Sequence, residues 1–317
     1  MSTKERLLQL LEENPGEFLS GEEIAEGLGV SRAAVCKAAK ALRDQGVPID
    51  AVTRRGYCLR ENADLLSQEK LQAQADPFWK IQVMDQVPST NSLLRQLALQ
   101  GAEEGTVILA QSQSAGRGRM EREFYSPRDT GLYLSLLLRP QGLTTGESLE
   151  ITTMAASALC IAVEEVTGRS PQIKWVNDLM LDGRKISGIL TEGALSMETG
   201  KMDFIVLGLG VNLYPPHGGF PEHLQDIAGV LCKKQQKDLK NRLVGVFLQK
   251  FLYFYRGRNF AEAAKIYRSR SILIGKEILA EGIQAKVLDV NDHCQLVVEY
   301  GDGSRRNLSY GEVSIVN

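Results

Sequence analysis

Apolar residues in the first sixty positions fall at helical spacing and then at strand spacing. Leu7, Leu8 and Leu11 recur along one helix face, and Asn14-Pro15-Gly16 ends that helix. Ser20-Gly21-Glu22-Glu23 has the form of a capping box, with Ser20 at the N-cap and Glu23 at N3. A short second helix with Ile24 and Leu28 on one face should follow. Gly29 supplies a turn, and Ser31 caps a third helix whose apolar face is Ala34 or Val35, Ala38 and Leu42. Gly46-Val47-Pro48 stops it. Ile49 to Leu59, with Arg54-Arg55-Gly56 in the middle, has the form of a two-stranded hairpin. Helix, short helix, turn, helix and hairpin make a winged helix-turn-helix.

The pattern then changes. Asn62 to Asp76 is polar and helix-prone, which predicts a linker helix. Beyond it, apolar runs predict strands at Ile81–Met84, Thr106–Ala110, Leu132–Leu138, Ile173–Trp175, Ile186–Glu192 and Phe204–Leu209. Helical patterns cover Thr90–Gln100, Ser148–Thr167 and Asp238–Asn259. Strands interspersed with fewer helices predict an α/β (α+β) layer, a mixed sheet with helices on one face. From about Ile272 short strands alternate again, with Gly301-Asp302-Gly303 as a hairpin turn.

Composition narrows the class. With 317 residues, 43% of them hydrophobic and 24% charged, the chain can bury a real core, which excludes wholesale disorder. A net charge of −2 excludes a uniformly basic coat. The charge is nevertheless split within the first module. Lys4 and Arg6 face seven glutamates in residues 1–30, whereas Arg32, Lys37, Lys40, Arg43, Arg54, Arg55 and Arg60 face only Asp44 and Asp50 in residues 31–60. Arg32, Lys37 and Lys40 should lie away from the core on the third helix, where a recognition helix meets the major groove, although Lys and Arg favour solvated faces in any protein. The hairpin arginines Arg54 and Arg55 are placed to meet phosphates or the minor groove. No apolar run reaches the roughly 18 residues of a membrane helix. The N-terminus lacks a signal-peptide pattern. Five scattered cysteines and three histidines form no zinc pattern. A soluble, cytoplasmic protein is expected, with no fixed metal site.

Four segments carry candidate chemistry. Ser114-Ala115-Gly116-Arg117-Gly118-Arg119-Met120-Glu121-Arg122 follows a strand; its glycines allow close backbone approach and its arginines supply fork donors for an anion. Lys174-Trp175-Val176-Asn177-Asp178-Leu179, then Gly183-Arg184-Lys185-Ile186-Ser187-Gly188-Ile189-Leu190, has the form of strand, tight turn at Asp182-Gly183, and strand. Its lysines and aspartate suit phosphoryl chemistry, or simply a solvated hairpin. Ser89-Thr90-Asn91 after Pro88 opens a helix, as caps or as ligands of a small polar molecule. Gly208-Leu209-Gly210-Val211-Asn212 hints at a dinucleotide fingerprint, but its third glycine is missing and Pro215-Pro216 bars a helix.

Together, in order and spacing, these segments resemble one family over nearly the whole chain: the bacterial biotin protein ligases that also act as biotin operon repressors. The shared motifs are the winged helix, Ser89–Asn91, the Gly116–Arg119 loop, Lys174–Leu179, Arg184–Leu190 and Gly208–Asn212. The resemblance implies a winged helix-turn-helix over residues 1–62, a catalytic domain over 63–270 and an SH3-like barrel over 271–317. It implies that biotin and ATP, with Mg²⁺, give biotinyl-5′-adenylate, from which biotin passes to a lysine of the biotin carboxyl carrier protein subunit of acetyl-CoA carboxylase. An adenylate-bound homodimer would then bind operator DNA. No membrane partner is implied.

By the same resemblance, Ser89, Thr90, Asn91 and Gln113 would line the biotin ring pocket, with Gly188 and Leu190 as wall and Phe124 as an aromatic lid. Arg117, Gly118 and Arg119 would close over biotin and the adenylate, Arg122 and Asn177 would contact the adenylate, and Asn212 the adenine side. Lys185 would bridge the carboxylate and the α-phosphate, and Asp178 would lie near the acceptor lysine or metal. Ser31, Arg32, Ala33, Lys37, Lys40, Arg54 and Arg55 would face DNA. The loop departs from the family's usual Arg-Gly-Arg continuation at Met120-Glu121-Arg122, and Val176 stands where proline is common. A ligand-sensing repressor without ligase activity and a lipoate–protein ligase are the alternatives.

Overall fold

A computed structural model describes residues 2–44, 46–140, 148–195, 202–280 and 282–316. The chain forms two compact units, one of residues 1–66 and 234–240, the other of residues 67–233 and 241–317. Among the described residues no helix is long and apolar enough to cross a membrane.

The first unit contains α1 (Thr3–Glu13), α2 (Gly21–Leu28), α3 (Arg32–Asp44), β1 (Ile49–Val52) and β2 (Gly56–Leu59). Leu7 and Leu11 of α1, Ile24 and Leu28 of α2, and Val35, Ala38, Ala39 and Leu42 of α3 are buried in one core with Ile49 and Leu59 of the antiparallel hairpin. The sequence left Ala34 and Val35 as alternatives; Val35 is the buried one. The Ser20 side chain accepts from Glu23 N–H, and the Glu23 carboxylate accepts from Ser20 N–H at 2.9 Å. These two bonds satisfy donors that the first turn of a helix otherwise leaves open. The backbone bond from Ser20 holds the Glu23 carboxyl below its ordinary pKa, so this contribution is lost as acid protonates it.

The second unit begins with α4 (Gln68–Gln74). The linker helix is thus shorter than the Asn62–Asp76 span that polarity alone suggests, because the Ser67 side chain caps it by accepting from Lys70 N–H. β3 (Lys80–Val87), α5 (Thr90–Leu99) and β4 (Thr106–Gln113) form a parallel strand pair with a helical crossover. β5 (Gly131–Leu138) is buried along its length and is followed by α6 (Ser148–Thr167). Next come β6 (Gln172–Lys174), β7 (Asp178–Leu181), β8 (Arg184–Leu195) and β9 (Met202–Asn212). The seven strands are ordered β3-β4-β5-β9-β8-β7-β6, and every pairing except β3–β4 is antiparallel. α5 packs on β4, β5 and β9, and α6 on β7 and β8.

Two sequence expectations need correction here. The Lys174–Leu179 segment is not one strand: Trp175, Val176 and Asn177 form a turn between β6 and β7, and Asp178 opens β7 instead of ending a strand. The expected Asp238–Asn259 helix is α7 (Leu239–Arg256), and α8 (Phe260–Ser269), which the apolar pattern did not reveal, follows a break at Gly257-Arg258-Asn259 where Arg258 is left-handed (φ 55°). The Asp182-Gly183 turn forms as expected, with both residues at positive φ between β7 and β8.

β10 (Glu277–Ala280), β11 (Ile283–Val290), β12 (Leu296–Tyr300), β13 (Arg305–Leu308) and β14 (Val313–Ile315) form a five-stranded antiparallel sheet within the second unit. The outer strands of the large sheet are both closed by other groups. Ile81 N–H donates to Gln72 Oε1 at 2.9 Å and Val83 N–H to Gln68 Oε1 at 3.0 Å, so two glutamines one turn apart on α4 occupy the free edge of β3. At the other edge Ile173 exchanges backbone bonds with Arg270 and Ile272.

Ser20→Ala is expected to destabilise the first unit by about 1 kcal/mol. A urea titration of the full chain should show this as an earlier transition of that unit.

Candidate functional site

Parallel pairing of β3 and β4 brings the C-terminal ends of both strands to the same end of the sheet, with Val87 opposite Gln113. The first turn of α5, which starts three residues after Val87, therefore meets the end of β4. Thr90 N–H donates to Gln113 Oε1 at 2.8 Å, and the Thr90 hydroxyl lies 3.2 Å from the same oxygen. Gln113 Nε2 donates to Ser126 Oγ at 2.9 Å. Ser135 on β5 is fully buried, with its Oγ 2.8 Å from Thr90 Oγ1 and 2.6 Å from Asn91 Oδ1. Asn91 Nδ2 donates to the Leu190 carbonyl (3.3 Å) and to Glu192 (3.0 Å), both on β8. Ser89 caps α5, accepting from Ser92 N–H. Capping and site-lining are thus one role for this turn.

The Gly208-Leu209-Gly210 motif explains itself at this point. Gly208 and Gly210 share one face of β9, two residues apart. A Cβ at Gly208 would collide with Asn91 Oδ1, and one at Gly210 would come within 2.5 Å of the Phe124 ring. The glycines make room for side chains, not for a pyrophosphate.

The loop after β4 folds back on itself. Gly118 N–H donates to the Arg122 carbonyl at 2.7 Å, and Phe124 N–H to the Gly116 carbonyl at 2.9 Å. Met120 and Glu121 are both left-handed, at φ 53° and 58°. A glycine would adopt this conformation without strain, so the departure from the family's usual loop falls where a side chain costs most. Three loop arginines are each tied elsewhere. Arg117 pairs with Glu192 at 3.0 Å. Arg119 donates to Asn177 Oδ1 and to the Gly311 carbonyl, both at 3.0 Å. Arg122 forms a two-pronged ion pair with Glu312, one arm at 2.9 Å.

Lys185 on β8 pairs with Asp178 on β7 at 2.6 Å. The turn preceding Asp178 is held from two sides. Tyr267 of α8, wholly buried, donates its hydroxyl to the Val176 carbonyl at 2.8 Å, and Trp175 Nε1 donates to the Cys294 carbonyl at 3.0 Å. Burial pushes the Tyr267 hydroxyl pKa well above the usual range, so it stays a donor. Asn177 Nδ2 donates to the Ile189 carbonyl at 2.9 Å, joining this turn to β8.

Most of these groups line one cavity of about 570 Å³, while Ser126, Ser135, Glu192 and Tyr267 support it from behind. Ser89, Thr90, Asn91, Gln113, Gly188 and Leu190 line it together with Phe124. So do Arg117, Gly118, Arg119, Arg122, Asn177, Asp178, Lys185 and Asn212. The structure thus gathers the ligand-site residues expected from sequence around a single space. Trp175 belongs to a segment that the sequence singles out but has no role assigned there, and sequence reasoning passed over Ser135, Glu192, Tyr267 and the Gly311–Ser314 segment, which also lines the cavity. Nothing in their spacing marks them; only the sheet register and the C-terminal fold bring them there.

In the first unit, Ser31 caps α3, with Ala34 N–H donating to its Oγ at 3.2 Å. Arg32, Ala33, Lys37 and Lys40 lie on its exposed side. Arg54 and Arg55 are exposed at the hairpin turn, the Arg55 guanidinium lying 4.1 Å from the Phe18 ring centre.

Residues 83–212 match the biotin/lipoate A/B protein ligase family, and residues 3–58 match a helix-turn-helix (HTH) domain. These two segments define a ligase unit joined to a helix-turn-helix regulator unit. The chain is 31% identical over 317 residues, covering 95% of both chains, to the bifunctional ligase/repressor BirA of Bacillus subtilis. It is 38% identical over 201 residues to the protein of the same name from Escherichia coli, covering 62% of this chain and 60% of that one. In fold it is similar to a biotin protein ligase from Aquifex aeolicus in complex with biotin and ATP, with a TM-score of 0.62, 24% identity, and coverage of 75% of this chain and 98% of that one. The chain belongs to the family of bifunctional biotin ligase/repressors.

Gly208→Ala is expected to destabilise the second unit by about 1–3 kcal/mol through overpacking against Asn91. An unchanged denaturant midpoint would mean that Asn91 is not held over this strand.

Proposed function

We propose that the cavity binds biotin by its ureido ring at the α5 end and joins its carboxylate to ATP at the Lys185 end. The observation that carries this reading is the buried polar floor. Gln113 Oε1 already serves Thr90, and its Nε2 gives one N–H to Ser126, which leaves one N–H to donate. Both Asn91 N–H groups are used, which leaves a lone pair on Oδ1 to accept. Ser89 Oγ accepts from Ser92 N–H and keeps its own proton to donate. Two donors and an acceptor match a ureido group, a carbonyl between two N–H groups. A dithiolane offers nothing to this floor, and each buried polar group left unpaired would cost about 1–3 kcal/mol. The floor therefore favours biotin over lipoate.

The reaction needs no nucleophile from the enzyme. A biotin carboxylate oxygen attacks the α-phosphorus of ATP, the bond to the β-phosphate oxygen breaks, and pyrophosphate leaves. A lysine amine of the biotin carboxyl carrier protein then attacks the acyl carbon, AMP leaves and the amine loses a proton. Lys185 is positioned to meet both the carboxylate and the α-phosphate, with Arg117, Arg119 and Arg122 neutralising phosphate charge and Asn212 toward adenine. Asp178 orients Lys185 before substrate arrives. Among the described residues no three His, Cys, Asp or Glu side chains converge as a metal centre. Mg²⁺ is proposed as part of the nucleotide substrate, and no step here runs through a protein-held ion.

The first unit is the DNA-binding arm. The exposed cations of α3 suit the major groove and Arg54 and Arg55 the backbone. A homodimer formed with the adenylate would present two such arms to a two-fold operator and couple biotin supply to repression. Five cations around one cavity, Arg117, Arg119, Arg122, Lys174 and Lys185, favour ligation over mere sensing, since a sensor of biotin alone needs no phosphate-directed charge.

Protein supplied with ATP, Mg²⁺ and the carrier domain should raise the acceptor mass with biotin and not with lipoate. Lys185→Ala should cut turnover by roughly 100-fold or more. Ligand-dependent DNA binding without any mass shift would overturn the ligase reading. In a gel-shift series over salt concentration, Lys37→Ala and Lys40→Ala should each weaken operator binding and lower the salt slope by about 1; unchanged slopes would remove α3 from the DNA interface.

A further inference from the structure

Glu192 joins the two halves of the site without lining the cavity. It follows Gly188 and Leu190 on the same face of β8, and its carboxylate stands behind Asn91. Oε2 accepts from Asn91 Nδ2 at 3.0 Å. The same carboxylate receives the Arg117 guanidinium in two contacts, at 3.0 and 3.4 Å. The Glu192 side chain is 19% exposed and that of Arg117 42%, so the loop arginine reaches inward to an anchor set in the sheet.

Resting on the biotin reading above, we propose that Glu192 is the positioning residue that fixes which face of the Asn91 amide meets the ureido group and, with the same carboxylate, anchors the Gly116–Arg122 loop through Arg117. A carboxylate can only accept, so the Asn91 atom facing it must be Nδ2. The Leu190 carbonyl makes the same demand from the same strand. Turned over, Asn91 would set its oxygen against two acceptors and its N–H groups against Ser135. With the amide held, Oδ1 sits over Gly208 beside Ser135 and keeps its free lone pair for a ligand N–H. Glu192 thus selects a ligand that donates at this point, although it never touches that ligand. Because Arg117 shares the carboxylate, the ring pocket and the loop that closes on the phosphate end respond to one group.

The test uses the full chain. Titration calorimetry first establishes biotin binding by the wild type, and absence of binding would overturn the biotin reading and this proposal with it. Glu192→Met keeps length but removes both acceptor oxygens, so the bonds to Asn91 and to Arg117 are both lost. Steady-state carrier biotinylation should show a biotin KM raised roughly 10- to 100-fold with kcat within about twofold. Trypsin should cut the ligand-free loop faster. Glu192→Asp, which keeps two acceptors on a shorter arm, should fall between. If wild type binds biotin and Glu192→Met leaves its KM within about twofold, the proposal is wrong. It is equally wrong if kcat and thermal midpoint fall together with no preferential change in the biotin KM, because that marks a general structural role.

Discussion

The site depends on one pairing. β3 and β4 run parallel in a sheet whose other pairings are antiparallel. An antiparallel hairpin would have put the start of α5 and the end of β4 at opposite ends of the sheet. The parallel pair, with α5 as its crossover, instead delivers Ser89–Asn91 and Gln113 to one place, and the loop that continues from β4 leaves from that same place. β9 and β8, further along the sheet, then supply the glycines that admit Asn91 and Phe124 and the lysine at the far end of the cavity. The polar floor, the loop and the lysine at the far end of the cavity are brought together by strand direction.

Most of the cavity's cations also have partners before a substrate arrives. Arg117 is held by Glu192, Arg122 by Glu312 and Lys185 by Asp178, while Arg119 is held by an amide and a carbonyl. An unpaired cation in a half-buried space carries a desolvation cost, and pairing offsets it. The partners come from β8, β7 and the segment before β14, so the second unit as a whole aims the loop. A phosphate entering such a site exchanges one set of negative partners for another, and the cations need little rearrangement.

Much of this was legible in the sequence, for identifiable reasons. Elements with strong local signals were predicted well: the capping box at Ser20, the α6 span and the Asp182-Gly183 turn. Motif residues within a few positions of each other, such as Ser89–Asn91 and Gly116–Arg119, could be recognised because one loop or turn carries them. The errors arose where local pattern gives no cue. Trp175–Asn177 is apolar enough to pass for strand, yet turns because Tyr267 and Cys294, some ninety and more residues away, hold its backbone and indole. Glu192 and Ser135 appear as ordinary alternating positions in strands, and only sheet register sets both against Asn91.

The two sealed edges of the large sheet bear on how the molecule behaves among its own copies. An open β-edge is a template for any passing strand, and proteins commonly blunt it with charge, proline or a bulge. Here α4 lays two amide side chains along β3, imitating a strand's acceptors without offering a further edge, and backbone from the Arg270–Ile272 stretch closes β6. Growth of the sheet from one molecule into the next would first have to strip these covers away. The glutamines thus act as a stopper against runaway strand addition, and they sit on the short helix that opens the second unit, so the seal is laid by residues next to the strand in sequence.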